Sequence, residues 1–298
     1  MSERFSYAVY GLHVRSDFAL WPWGGELTAT ARADVSFELA HDEVGFPETN
    51  FRPGLQDAVL RWPGVGAFWI RAGVEVRVAP APGAAPDEIA LVAAGPVLAL
   101  LLEQRGQLVL HGSCVELGGR AVTLLGESGA GKSTIAASLR HAGYPLVSDG
   151  MTVVDCSGAE PLALPGPAHL KLWPDAIRSL KSHAVRTQPV ARREDKLWYQ
   201  TSGAVASRPV PLRQAFVLRG GSEVTGERLT SAAGLVALIK NHFLVDFADA
   251  ESRVFIMERC ARLASRISVS TLTRGKALSD MPSVLARVLA ATSNPVTS

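Results

Sequence analysis

The chain has 298 residues, 47% of them hydrophobic and 19% charged, a composition that excludes gross disorder. At about 100–200 residues per domain, that length fits two domains. Thirty basic residues against 28 acidic give a formal net charge of +2, too balanced for a nucleic-acid footprint or for attraction to an anionic membrane.

In chain order, the segments 7–14, 34–39, 59–62 and 67–71 mix β-branched and aromatic residues between Pro and Gly breaks, and are predicted as strands. The Pro- and Ala-rich stretch 79–86 shifts composition sharply and reads as a linker. It sets a boundary between a β-rich N-terminal domain, 1–85, and a second domain, 86–298. Beyond it a helix is expected over 95–105, with Pro96 in its first turn. One strand should run from Leu108 through His111 and Gly112 to Leu117, closed by a hairpin at Gly118-Gly119. A short apolar strand, 121–125, a helix, 132–141, and a strand, 144–149, follow, the last with 151–155 as its hairpin partner. Later come a strand over 214–219 and helices over 231–247, 252–265 and 280–291. Strands alternating with helices in this way give an α/β fold class.

Cys114, Cys156 and Cys260 lie far apart, which excludes a disulfide framework or a zinc knuckle and fits small buried hydrophobes in a reducing compartment. The N-terminus, Met1-Ser2-Glu3-Arg4-Phe5-Ser6, has no basic stretch leading into an apolar core, so no secretory signal is expected. The longest apolar run, 89–102, is broken by Gly95-Pro96 and is shorter than the ~20 residues that span a bilayer. A cytoplasmic protein is expected, with neither nucleic acid nor membrane as a partner.

The most specific signal is Gly126-Glu127-Ser128-Gly129-Ala130-Gly131-Lys132-Ser133, followed by Thr134, which satisfies G-x-x-x-x-G-K-[ST]. Glycines allow torsions that aim successive N–H groups into one concavity, where they hold phosphate oxygens. Lys132 would reach the β- and γ-phosphates and the Ser133 hydroxyl would bind Mg²⁺. The helix that begins at the end of the loop adds its dipole and free N–H groups. ATP with Mg²⁺ is the expected cofactor pair. Asp149 ends an apolar strand just downstream, where it could accept the proton of an attacking hydroxyl or hold Mg²⁺. His111 would pair with Asp149 or with a phosphate and tune the charge there. Lys171, Arg192, Arg193 and Lys196 are candidates to neutralise charge on a transferring phosphoryl group, and Trp173 and Trp198 could stack or clamp.

These motifs carry a resemblance. From Leu110 to Asp155 the chain is similar to the catalytic domain of HPr kinase/phosphorylase, in which a His-Gly strand, a compact phosphate loop and an acidic strand end converge. The LSGGQ-like signature of transporter ATPases and the Asn-Lys-x-Asp motif of GTPases are missing. The resemblance implies a P-loop kinase core of HPr-kinase type behind the β-rich N-terminal domain. It makes Asp149 the general base, while Gly150 stands where that family has a second, Mg²⁺-associated aspartate. The stretch His169-Leu170-Lys171-Leu172-Trp173-Pro174-Asp175 looks closer still to the HPr-kinase-like proteins of lasso-peptide biosynthesis. That implies phosphorylation of a peptide or protein on serine, typically the C-terminal serine of a lasso precursor peptide. It also implies a homo-oligomer, and an N-terminal domain used for peptide recognition or assembly. Two other readings stay open: a small-molecule kinase on the same core, and a nucleotide-switched binding or assembly protein with little turnover.

Overall fold

The structure is a computed structural model that describes residues 4–23, 32–48, 56–180, 186–191, 195–200, 203–248, 250–275 and 277–293. The N-terminal part is a six-stranded sheet of β1 (Phe5–Val9), β2 (Leu12–Ser16), β3 (Val35–Leu39), β4 (Asp57–Trp62), β5 (Gly66–Arg71) and β6 (Glu75–Pro80), in the order β1-β2-β3-β6-β5-β4. The β2–β3 and β3–β6 pairs are parallel and the rest antiparallel. The expected single strand over 7–14 is a hairpin instead. Tyr10 (φ 53°) and Gly11 (φ 74°) both take the left-handed conformation between Val9 and Leu12, the geometry of a two-residue turn matched to strand twist.

Alternation along these strands turns Val14, Phe37, Phe68, Ile70, Val76 and Val78 inward. The face they make is covered by α1 (Pro86–Val92) and α2 (Leu98–Gln104), and together these form one apolar cluster. Pro86 opens α1, with Asp87 and Glu88 in its first turn, both suited to a helix N-terminus. Pro96 does not open the next helix as expected. It lies inside a π-helical turn, Ala93–Val97, between α1 and α2, where Gly95 leaves helical torsions (φ −103°, ψ −110°). A proline cannot donate to the ladder, so the kink falls there. Leu98 to Leu102 are all fully buried, so α2 is packed on every side.

The rest of the chain contributes β7 (Leu108–Leu110), β8 (Gly112–Leu117), β9 (Arg120–Leu125), α3 (Lys132–His141), β10 (Leu146–Ser148), β11 (Thr152–Asp155), β12 (Leu162–Leu164), β13 (Leu170–Leu172), α4 (Pro174–Ser179), β14 (Arg186–Pro189), β15 (Leu197–Gln200), β16 (Val210–Gly220), α5 (Ser231–Lys240), α6 (Ala250–Ala264), β17 (Ser268–Arg274) and α7 (Met281–Ser293). The main sheet runs β10-β8-β9-β16-β12-β11-β7, with β17 added to β16, and β13-β15-β14 form a small separate sheet. β9, β16 and β17 are mutually parallel along their shared edges. Such strands are buried on both faces: α3 and α7 pack on one side through Ile135, Leu139, Val284 and Val288, and α5 and α6 on the other through Leu238, Ile256 and Leu263. Cys114 and Cys260 are buried and Cys156 half-buried, all three as free thiols. No helix among the described residues is long and apolar enough to cross a membrane.

Two strand readings change. The expected strand 108–117 breaks at His111, so that β7 pairs with β11 while β8 pairs with β9 and β10. The expected hairpin between 144–149 and 151–155 does not form, because the chain crosses at Asp149-Gly150 (Gly150 φ 80°) and β11 pairs with β7 and β12. Both interruptions fall at the same level of the sheet, which brings His111 and Asp149 to one place. Close packing fixes the first break, since a Cβ on Gly112 would stand 2.8 Å from the Leu124 carbonyl oxygen.

The helix expected over 231–247 ends at Lys240, and the residues after it are drawn into the sheet. His111 N–H donates to the Asn241 carbonyl (2.7 Å) and Phe243 N–H to that of Val109 (2.9 Å). Below them Glu103 is fully buried. It accepts from His242 Nε2 (3.0 Å), Arg259 Nη1 (2.7 Å) and the Val109 N–H (3.0 Å). His242 Nδ1 accepts from Leu244 N–H (3.2 Å), which leaves Nε2 as the protonated nitrogen. Glu103→Gln would leave Arg259 beside a neutral amide in the interior. Breaking a buried pair in this way typically costs about 3–5 kcal/mol. Urea unfolding should show a fall of that order, and a loss below about 1 kcal/mol would mean that the charge of Glu103 is dispensable.

Candidate active site

The glycine-rich loop joins the end of β9 to the start of α3. Gly126 (φ 135°), Gly129 (φ 83°) and Gly131 (φ 97°) hold backbone conformations that L side chains rarely adopt, so the glycines of the motif are conformational requirements. Gly131 is the N-cap of α3 and the cap carries no side-chain hydrogen bond, which leaves the positive end of the helix dipole open to an anion. The loop is tethered by Asn241, whose Oδ1 accepts from Gly126 N–H (2.7 Å) while its Nδ2 donates to the Ala237 carbonyl (2.8 Å).

Lys132 folds back over the loop, donating from Nζ to the carbonyls of Gly126 (2.6 Å) and Glu127 (3.0 Å). Burial lowers its pKa to about 8; Asp149 works against that shift and Lys196 adds to it. Ser128, Gly129, Gly131, Lys132, Ser133 and Thr134 line one wall of a cleft. Ala130 is half-buried beside them, with its N–H on the Glu127 carbonyl (3.2 Å).

Asp149 faces that wall. Its Oδ1 accepts from Ser113 Oγ (2.6 Å) and its Oδ2 from the Lys171 N–H (2.9 Å). Each oxygen has one anchor, so the carboxylate plane is fixed while further lone pairs stay available. His111 lines the same cleft, its ring edge-to-face with Phe243 at 5.7 Å. Burial above all, then Lys132, lowers its pKa to about 4, with Asp149 opposing and Lys171 and Lys196 adding small effects. The imidazole is therefore neutral at pH 7. Asp149 takes its hydrogen bonds from Ser113 and Lys171 rather than from His111.

Lys171 and Lys196 both line the cleft, and each ammonium stands over an indole ring. Lys171 Nζ is 5.1 Å from the Trp198 ring centre and Lys196 Nζ is 5.5 Å from that of Trp173, within cation–π range. The antiparallel β13–β15 pair sets Lys171 opposite Trp198. Arg192 and Arg193 lie outside the described residues. Among the described residues no cluster of three or more His, Cys, Asp or Glu side chains could hold a metal. What the cleft offers a metal is the Ser133 hydroxyl and the Asp149 carboxylate. That sparse oxygen set suits Mg²⁺, which keeps waters and takes substrate phosphates as ligands.

Several further residues here have roles that the sequence does not assign. Tyr10, at the tip of the N-terminal hairpin, is buried with its N–H on the Pro165 carbonyl (2.6 Å). It lines the cleft with Trp21, as do Leu91, Ala94 and Gly95 from the helix kink. Burial first, then the charge of Asp149, raises the Tyr10 pKa, so its phenol stays protonated. His169 sits edge-to-face with Trp198 at 4.5 Å and near Trp21 and Trp23. Burial, then Lys171 and Arg140, lowers its pKa to about 3, so it packs as a neutral ring. Ser113 could have been found two residues past His111, but only its contact with Asp149 gives it a role. The N-terminal hairpin turn, Trp21 and the helical segment 91–95 thus supply one wall of the cleft and the glycine-rich loop another.

No family model matches the chain, and no curated protein matches it. Among solved structures it is similar to the HPr(Ser) kinase/phosphatase from Coxiella burnetii, with 11% sequence identity and a TM-score of 0.30 over 62% of this chain and 94% of that one.

Proposed function

We propose that this protein is an ATP- and Mg²⁺-dependent kinase that transfers the γ-phosphoryl group to a serine hydroxyl of a peptide or protein. The observation that carries the reading is one cleft in which the uncapped glycine-rich loop and Lys132 face a carboxylate, Asp149, anchored at both oxygens. In this reading the backbone of 126–131 and Lys132 hold the polyphosphate. Asp149 accepts the acceptor hydroxyl's proton as its oxygen bonds to the γ-phosphorus and the bond to the bridging oxygen breaks, releasing ADP. The Ser133 hydroxyl would hold Mg²⁺, which neutralises charge on the phosphates when bound, while Asp149 acts as the base. Lys171 and Lys196, positioned by their indoles, add positive charge at the mouth. Neutral His111, exposed to the cleft, has no charge to offer a phosphate and serves as a wall residue or hydrogen-bond partner.

The acceptor we assign is the C-terminal serine of a lasso-type precursor peptide, on the strength of the 169–175 stretch. The N-terminal region, 1–85, would take part in binding it, a reading supported by Tyr10 and Trp21 in the cleft wall. The test is to mix pure protein, ATP, Mg²⁺ and a peptide ending in serine, and to locate any added phosphoryl group by fragmentation mass spectrometry. Modification of the terminal serine is the expected result. An unmodified peptide in the presence of bound ATP would move the reading to a small-molecule acceptor or to a nucleotide-driven switch.

A further inference from the structure

We propose that Arg274 is a second side-chain cation for the polyphosphate, presented to the glycine-rich loop from the end of β17; the proposal rests on reading that loop as a nucleotide site. β9, β16 and β17 run parallel, with unbroken pairing from Val122, Gln214 and Ser268 onward, so their C-terminal ends share one edge. The loop leaves the first of these strands and Arg274 ends the third. Its side chain turns back along that edge. A Cβ placed on Gly131 would stand 2.7 Å from Arg274 Nη1 and 3.3 Å from Cζ. The guanidinium therefore lies against the last glycine of the loop, at the uncapped N-terminus of α3.

Arg274 is only 8% exposed. Its Nε donates to the Gly275 carbonyl (2.8 Å), but Nη1 is closed to solvent and has no hydrogen-bond partner among the described residues. Asp280 is the carboxylate that acts on it electrostatically, without a hydrogen bond to Nη1. A buried cationic donor with no acceptor is unfavourable unless something fills the place. Lys132, the other cation of the loop, is turned onto the loop's own carbonyls. Arg274 Nη1 makes no such bond, and it lies against Gly131, part of the backbone that would surround a phosphate. The arrangement suits an anion held by the loop that takes a charge-assisted hydrogen bond from Nη1. Glycine at position 131 then serves two needs, the φ of 97° and room for the guanidinium.

The test measures binding of ATP and of inorganic tripolyphosphate, which has no base, to wild type, Arg274→Met and Arg274→Lys. Methionine fills similar space without charge, so the ligand-free melting temperature should hold or rise. Both ligands should bind Arg274→Met about 10- to 100-fold more weakly, the range for losing a hydrogen bond to a charged group, and Arg274→Lys should recover part of the loss. Wild-type affinity of Arg274→Met for both ligands would overturn the proposal. Failure of the wild type to bind either ligand would overturn the nucleotide reading itself, and this proposal with it. Should Arg274→Met not fold, the side-chain Nε–Hε resonance of Arg274, assigned by its loss in Arg274→Lys, answers the same question in wild type. A shift on adding tripolyphosphate is expected, and no shift would overturn the contact.

Discussion

Lys132→Ala is expected to cut nucleotide-dependent turnover by 10²–10³-fold or more, about what removing one electrostatic donor from a preorganised site costs. The ammonium is buried and held on the Gly126 and Glu127 carbonyls. Its removal therefore takes away both the expected phosphate contact and a brace of the loop. Because burial lowers its pKa to about 8, the free protein's affinity for tripolyphosphate should fall as pH rises through that value, where the cation is lost. Calorimetric titration from pH 6.5 to 9.5 would show the fall, and the alanine variant should show only the change that the ligand's own titration produces. Full turnover by Lys132→Ala would end the phosphate-loop reading.

Asp149→Asn should leave ATP binding near normal while phosphoryl transfer drops by about 10²–10⁴, the usual range for a lost general base. The structure adds a secondary effect. Asp149 accepts at both oxygens, from Ser113 Oγ and from the Lys171 N–H, but an amide has only one acceptor atom. Serine can reverse its hydroxyl to accept from the amide, whereas a backbone N–H cannot. The variant should therefore keep its carbonyl toward Lys171, at a stability cost of about 1 kcal/mol or less. Rapid-quench measurement of one turnover separates chemistry from ADP release. A variant that transfers phosphate at the wild-type rate would return Asp149 to a metal-holding or structural role.

The glycine-rich loop and its flanking strand and helix were legible because their requirements are local: torsions open only to glycine, an apolar strand before, an amphipathic helix after. The partner exchange at His111 and at Asp149-Gly150 was not. The residues on either side of each break are equally apolar, and which strand they pair with is decided by distant segments such as β11 and β12. The Tyr10–Gly11 turn lacked the Asn-Gly or Asp-Gly signature of such hairpins, and a tyrosine at φ 53° is held there by its neighbours. The sequence carries helix α5 past its end because Asn241, His242 and Phe243 continue an unbroken polar and apolar mix. The partners that end the helix, Gly126, Glu103 and Val109, are remote in sequence. Arg274 carries no signal of its own in the sequence, since 268–274 alternates serine and threonine with apolar residues and only the parallel pairing with β16 places its last residue beside the loop.

The connection that follows α5 has an unusual division of labour. Of three consecutive residues, Asn241 holds Gly126, His242 meets the buried Glu103, and Phe243 packs on His111 in the cleft. Surface connections ordinarily absorb insertions and drift freely in length. Here each successive side chain serves a different client, so adding or deleting one residue would hand every client the wrong partner at once. This short link is therefore as fixed in length as a strand at the centre of a sheet, and segments free to vary in length must be sought elsewhere on the molecule.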